Sequence, residues 1–202
     1  MTHVVSIIIK GGIVMIPLLA CSLISLALTI ERIIFWTKLK SKDVLCQMLA
    51  LVDGNEFEQA LKLGKNSSQP IARVLAAGIA HCNPAPSKAM EAAAQAEIPL
   101  LKSRLGVLDT IVTLAPLLGL LGTVVGMIGS FDVMADVGMG QPHAVTGGVA
   151  EALIATATGL LIAILTLISY NYFTARAERE MDQMEHFSSS LELLLHERMA
   201  KH

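Results

Sequence analysis

The sequence predicts an all-α integral membrane protein with three transmembrane helices, at about 11–35, 108–134 and 149–175, joined by helical polar segments. Three observations carry that expectation. Charged residues make up 16 % of the 202-residue chain and hydrophobic ones 53 %, whereas soluble domains carry about 25 % charged residues. Three runs free of charge are 20, 22 and 24 residues long, and about 20 apolar residues cross the hydrocarbon of a bilayer as a helix. No alternating strand pattern or internal repeat stands out.

The first run, Gly11 to Ile30, lies between Lys10 and Glu31. Its apolar core exceeds the roughly 7–15 residues of a signal peptide and no A-x-A site follows, so it reads as a retained anchor. The second, Thr110 to Phe131, lies between Asp109 and Asp132, and the third, Ala152 to Ala175, between Glu151 and Arg176. The segment Ile71 to Ile79 is too short to span and is broken by Arg73.

Ten of the 15 Lys and Arg residues fall between Glu31 and Asp109 and four in the tail, whereas Asp132 to Gly148 has none. Positive charge marks the cytoplasmic side. The expected organisation is an outside N-terminus (1–10), span one (11–36), a cytoplasmic helical loop (37–107), span two (108–134), a short outside loop (135–148), span three (149–175) and a cytoplasmic helical tail (176–202). In the loop, Asn55 is placed to cap a helix that stops at Gly64. Pro70 suits the first turn of a helix reaching about His81, NPAP forces a turn, and Ser87 caps a further helix with a possible kink at Pro99. Ala177, Met181, Met184, Ser188, Leu191 and Leu195 form a helical seam suited to packing on the loop helices.

The net charge of −2 gives no footprint for nucleic acid. Cys21, Cys46 and Cys82 form no CxxC pair and are odd in number, which argues against a disulfide framework or a zinc site. All six histidines lie outside the charge-free runs. The runs therefore offer no haem or metal ligation by histidine and no nucleophile–base pair for a membrane hydrolase, so neither an enzyme nor a cofactor is expected. A proton or ion handled here would need a titratable group from elsewhere.

The small residues of the second run step by threes and fours. Pro116, Gly119, Gly122, Thr123, Gly126, Gly129 and Ser130 share an arc of about 140° at helical spacing. Glu151, Ala152, Ala155, Thr156, Gly159, Ala163 and Thr166 do the same in the third, with Leu153, Ile154, Leu161, Ile164 and Ile168 opposite. Such faces let helix backbones approach closely in lipid. They fit either plain helix packing, with each threonine bonded one turn back, or a polar path or socket for another helix. Glu151 either complements a helix dipole or is functional, as ionisable residues at the edge of a span often are.

The stretches LAPLLGLLGTVVGMIGSF and GGVAEALIATATGLLIAI resemble the MotA/TolQ/ExbB proton-channel family, and GGIVMIPLLACSLISLALTIERIIFW resembles its ExbB and TolQ branch. The resemblance implies a pentamer around a central pore in the bacterial inner membrane, with a periplasmic N-terminus and cytoplasmic C-terminus. It implies single-span ExbD- or TolR-type partners carrying an intramembrane aspartate, a driven periplasmic protein of the TonB or TolA type, and contact with membrane lipids. Matched by motif, Thr123 and Thr156 are pore-lining threonines, Glu151 the acidic residue near the pore, and Pro116 the helix-breaking position. Thr158 is an extra hydroxyl. Pro116, Gly119, Gly122, Gly126, Ala155 and Gly159 form the expected packing face for the partner helix, and the small, apolar Ala155 favours protons over sodium. The implied function is that of an ExbB-like subunit energising outer-membrane transport. The alternatives are a TolQ-like envelope subunit and a non-conducting scaffold; a MotA-type stator should show four spans.

Overall fold

A computed structural model describes residues 11–39, 43–82, 85–137 and 142–199. Among them the regular elements are seven helices: α1 (Met15–Lys38), α2 (Asp43–Asp53), α3 (Phe57–Asn66), α4 (Pro70–Ala80), α5 (Pro86–Leu101), α6 (Leu105–Val137) and α7 (Pro142–Met199). Three of them, α1, α6 and α7, are long and apolar enough to cross a membrane. The chain is thus an all-α, multi-pass membrane protein. It divides into two compact units, one made of the chain through Glu31 with Arg104–Tyr172, the other of Arg32–Ser103 with Phe173 onward.

In the first unit, α1, α6 and α7 bury a narrow seam and leave large apolar side chains outward. Val14, Met15, Leu18, Cys21, Ile111, Ala115, Ile162 and Ala163 form the buried cluster, with Leu118 packed against it. Leu23, Leu117, Leu121, Leu153, Leu161 and Ile168 are exposed on the single chain, as helices embedded in lipid require. Polar side chains within the seam are satisfied there. The Ser25 hydroxyl meets that of Thr166 at 2.6 Å in a buried contact, and Thr166 itself donates to the Ile162 carbonyl at 2.8 Å. Pro116 lies inside α6.

The connection expected over 135–148 is largely helical. α6 continues to Val137 and α7 begins at Pro142, while residues 138–141, like the N-terminal 1–10, lie outside the described residues.

The second unit is a helical bundle in which α4 packs on both α3 and α5, and α2 on α3. Leu45, Met48, Val52, Val74, Leu75, Met90 and Leu101 are buried in it. The C-terminal part of α7 completes this core through Ala177, Met184, Leu191 and Leu195, all buried. A Cβ on Gly78 would lie 2.6 Å from Met90 Cγ and 3.3 Å from Leu191 Cδ2, so that glycine lets α4 approach both elements. Arg73 grips Glu97 with two hydrogen bonds, Nε to Oε1 at 2.7 Å and Nη2 to Oε2 at 2.6 Å. Chiefly that hydrogen bond holds the guanidinium above its ordinary pKa, with the Glu97 charge adding to it and burial opposing it.

Three local expectations are corrected. Asn55 does not cap α3. It takes a left-handed conformation (φ 66°) in the turn, and Glu56 occupies the N-cap position. Gly64 does not stop α3, which continues to Asn66. It is instead a packing glycine, for a Cβ there would lie 2.8 Å from both the Ala72 carbonyl oxygen and the Ala76 Cβ. Ser87 does not cap α5, which begins at Pro86 behind Ala85; its hydroxyl donates to Glu192 Oε1 at 2.6 Å. Part of the NPAP turn lies outside the described residues, and Pro99 sits inside α5.

Candidate functional site

The small faces of α6 and α7 meet each other. Without side chains the backbones come within contact distance, and the dispersion energy of that contact replaces the hydrophobic drive that lipid does not supply. A Cβ on Gly119 would lie 3.0 Å from Thr156 Cα, one on Gly122 2.5 Å from Ala155 Cβ, and one on Gly126 2.9 Å from the Gly148 carbonyl oxygen. From the other side, a Cβ on Gly159 would lie 2.5 Å from the Ala115 carbonyl oxygen and 3.1 Å from Gly119 Cα. These atoms are mostly backbone and cannot swing aside, so a methyl at Gly122, Gly126 or Gly159 forces the spans to shift, and one at Gly119 fits only if its neighbours give by a few tenths of an ångström. Gly129, on the expected arc, has nothing within 4 Å of such a Cβ.

The close approach brings a hydroxyl across the seam. Thr156 Oγ1 donates to the Gly119 carbonyl at 2.9 Å. The other two threonines bond their own helices, Thr123 to the Leu120 carbonyl at 2.6 Å and Thr158 to the Ile154 carbonyl at 2.8 Å. In all three the hydroxyl proton is committed to a carbonyl. What each can still offer is lone-pair acceptance. Pro116, Thr123, Thr156 and Thr158 are all partly buried.

Glu151 faces a different neighbour. It shares the small arc of α7 with Thr156, yet an arc of about 140° on one helix is wide enough to touch two others in a bundle. Thr156 meets α6, while the Glu151 carboxylate lies against Gly12 at the entry to α1, with Oε1 in the space a Cβ of Gly12 would take.

Of the ten expected site residues, Gly119, Gly122, Gly126, Ala155, Gly159 and Thr156 are thus brought together, as the contact between two spans of one chain. Pro116, Thr123 and Thr158 lie outside that set of contacts, and Glu151 is set apart from it. Sequence reading missed Gly12, Ala115, Gly148 and Ser25. The doublet Gly11-Gly12 at the mouth of the first run was the available signal for Gly12, and a lone serine in an apolar run for Ser25. Among the described residues no group of three or more His, Cys, Asp or Glu could hold a metal ion.

This fold and seam define a multi-pass helical membrane protein whose spans associate through small residues and interhelical hydroxyl bonds. Residues 66–186 match the family model described as the MotA/TolQ/ExbB proton channel family. The ExbB-like 3 protein of Synechocystis sp. is 37 % identical over 191 residues, covering 91 % of this chain and 91 % of that one. The Tol-Pal system protein TolQ of Pseudomonas aeruginosa is 38 % identical over 113 residues, 56 % of this chain and 49 % of its own. The biopolymer transport protein ExbB of Xanthomonas campestris pv. campestris is 39 % identical over 87 residues, 43 % and 34 % of the two chains. The chain belongs to the MotA/TolQ/ExbB proton channel family.

Proposed function

We propose that this chain is the three-span subunit of an ion-driven motor of the ExbB kind, in the bacterial inner membrane. With an ExbD-type single-span partner it energises a TonB-type periplasmic protein for outer-membrane transport, driven by protons. The observation that carries this reading is chemical. The charge-free runs of spans two and three hold hydroxyls but no Asp, Glu, Lys, Arg or His, and the protons of Thr123, Thr156 and Thr158 are directed to carbonyls. Such a wall accepts hydrogen bonds from a protonated acid or a hydrated proton without retaining the proton itself. The acid that loads and unloads must then come from the partner helix, whose intramembrane aspartate supplies it.

The glycine seam has a supporting role in this reading. It joins spans two and three into a rigid wall, and the partner helix meets the border of that wall at Pro116, Thr123 and Thr156. Five subunits enclose the partner helices, and lipid covers the leucine and isoleucine faces. The Lys and Arg bias supports a periplasmic N-terminus and a cytoplasmic C-terminus.

The test is native mass spectrometry of the protein co-expressed with its single-span partner. A pentamer retaining the partner is expected; a stable monomer contradicts the reading. A TolQ-like role in the envelope is supported by the match to the Pseudomonas protein. The two roles separate by deletion phenotype, loss of energy-dependent uptake for the ExbB kind and loss of envelope integrity for the TolQ kind.

A further inference from the structure

Two independent constraints meet at Gly12. Its φ is +71°, a conformation that glycine adopts freely and residues with a Cβ rarely do. The volume a Cβ would occupy is also filled: it would run into Glu151 Oε1 and lie 2.7 Å from Glu151 Cδ and 3.2 Å from Cγ. The next residue back shows the contrast. A Cβ on Gly11 would meet Met15 Cγ at 2.5 Å and Sδ at 2.7 Å, the end of a flexible side chain that can turn away. Gly11 also approaches Ile154 Cγ2 to 3.3 Å at that Cβ position. Ile154 and Glu151 are one turn apart on α7, so one edge of that helix follows the glycine doublet. At this point α1 begins, with the Met15 amide donating to the Gly12 carbonyl at 3.1 Å and the Ile16 amide to the Ile13 carbonyl at 3.2 Å.

We propose that Gly12 is a positioning residue for Glu151. Its missing side chain leaves the slot in which the carboxylate lies, and its left-handed conformation turns the chain so that the entry to α1 passes under that carboxylate. Glu151 is thereby held at a fixed place at the edge of the third span, through α1 rather than through the α6 seam. The role rests on the reading of Glu151 as part of the ion pathway; the packing relation stands apart from it.

The test compares Gly12→Ala with Gly11→Ala in the full-length protein co-expressed with its partner. Gly12→Ala is expected to lower energised function about tenfold, a coupling of ordinary size for residues in contact, while Gly11→Ala stays close to the parent. Adding Glu151→Asp, which shortens the side chain by one methylene, should restore the Gly12→Ala protein to within about threefold of Glu151→Asp alone. Full activity in Gly12→Ala, or no rescue while Glu151→Asp is active, overturns the proposal. If Glu151→Asp is itself inactive, or Gly12→Ala accumulates poorly, the thermal midpoints of the purified proteins decide. Gly12→Ala should lower the midpoint less in a Glu151→Ala background than in the parent, and an equal drop in both overturns it. A Glu151→Ala protein with full function would instead remove Glu151 from the pathway and leave the stability comparison intact.

Discussion

Thr156 Oγ1 donates to the carbonyl of Gly119, 37 residues away in sequence, at 2.9 Å. The bond exists because neither Gly119 nor Ala155 has a side chain large enough to hold the spans apart. It ties the hydroxyl expected on the ion path to the glycine seam between spans two and three.

That link sets a prediction in which magnitude separates two roles. Interhelical hydrogen bonds in membranes contribute about 0.6 kcal/mol on average and up to about 1.7 kcal/mol. Thr156→Val should therefore lower stability by no more than this and leave assembly intact, while abolishing energised function. Thr156→Ser, which keeps the hydroxyl, should retain both. Thermal unfolding in detergent and a cellular uptake or envelope assay measure the two effects separately.

The seam predicts opposite outcomes for two glycines of neighbouring spans. Gly159→Ala drives a methyl to 2.5 Å from the Ala115 carbonyl oxygen, so it should destabilise by about 1–3 kcal/mol, as overpacking does. Gly129→Ala enters open space on the single chain and should be neutral or stabilising by about 0.5–1 kcal/mol, the helix preference for alanine. Unfolding of the two purified variants checks the contrast.

Ser25 and Thr166 form a buried pair at 2.6 Å. With the Thr166 proton given to the Ile162 carbonyl, Ser25 is the donor. Thr166→Val leaves Ser25 without this acceptor in an apolar seam. A double-mutant cycle with Ser25→Ala and Thr166→Val should return a coupling of about 0.6 kcal/mol, up to about 1.7 kcal/mol.

In the second unit the Arg73–Glu97 pair is bidentate, which lysine cannot reproduce. The Arg73 side chain is 38 % exposed, so solvent screening keeps the pair's contribution to about 0–1 kcal/mol. Arg73→Lys should cost a part of that, and less at high salt. The folded-state pKa of Arg73 is raised. A raised basic group stabilises fully below its unfolded pKa and loses that contribution only as pH rises through the folded one. From the arginine side, the pair's contribution should therefore stay flat from neutral to moderately alkaline pH, as urea unfolding at several pH values would measure.

Features that repeat along one helix were legible in the sequence. Three charge-free runs stand as three apolar helices, and Ala177, Met184, Leu191 and Leu195 of the tail seam are buried, with Met181 and Ser188 partly so. Features that depend on a distant neighbour were not. Gly64 resembled a helix stop, but its reason is the Ala72 carbonyl across the interface. Ser87 resembled a cap, but it bonds Glu192, 105 residues on. The same limit applied at the site. The spacing revealed small faces without revealing what fills them, and within the chain each fills the other. It also placed Glu151 and Thr156 on one arc, although that arc borders two different helices.

In the proposed mechanism the hydroxyls of this chain accept hydrogen bonds from an acid carried by a partner as it gains and loses its proton. Proton flux into liposomes containing the complex purified with its single-span partner tests it most directly. Flux should require the partner and fall at least about tenfold in Thr156→Val, the loss of one hydrogen bond to a charged group, with the assembly unchanged. Undiminished flux in Thr156→Val, or equal flux without the partner, would contradict it.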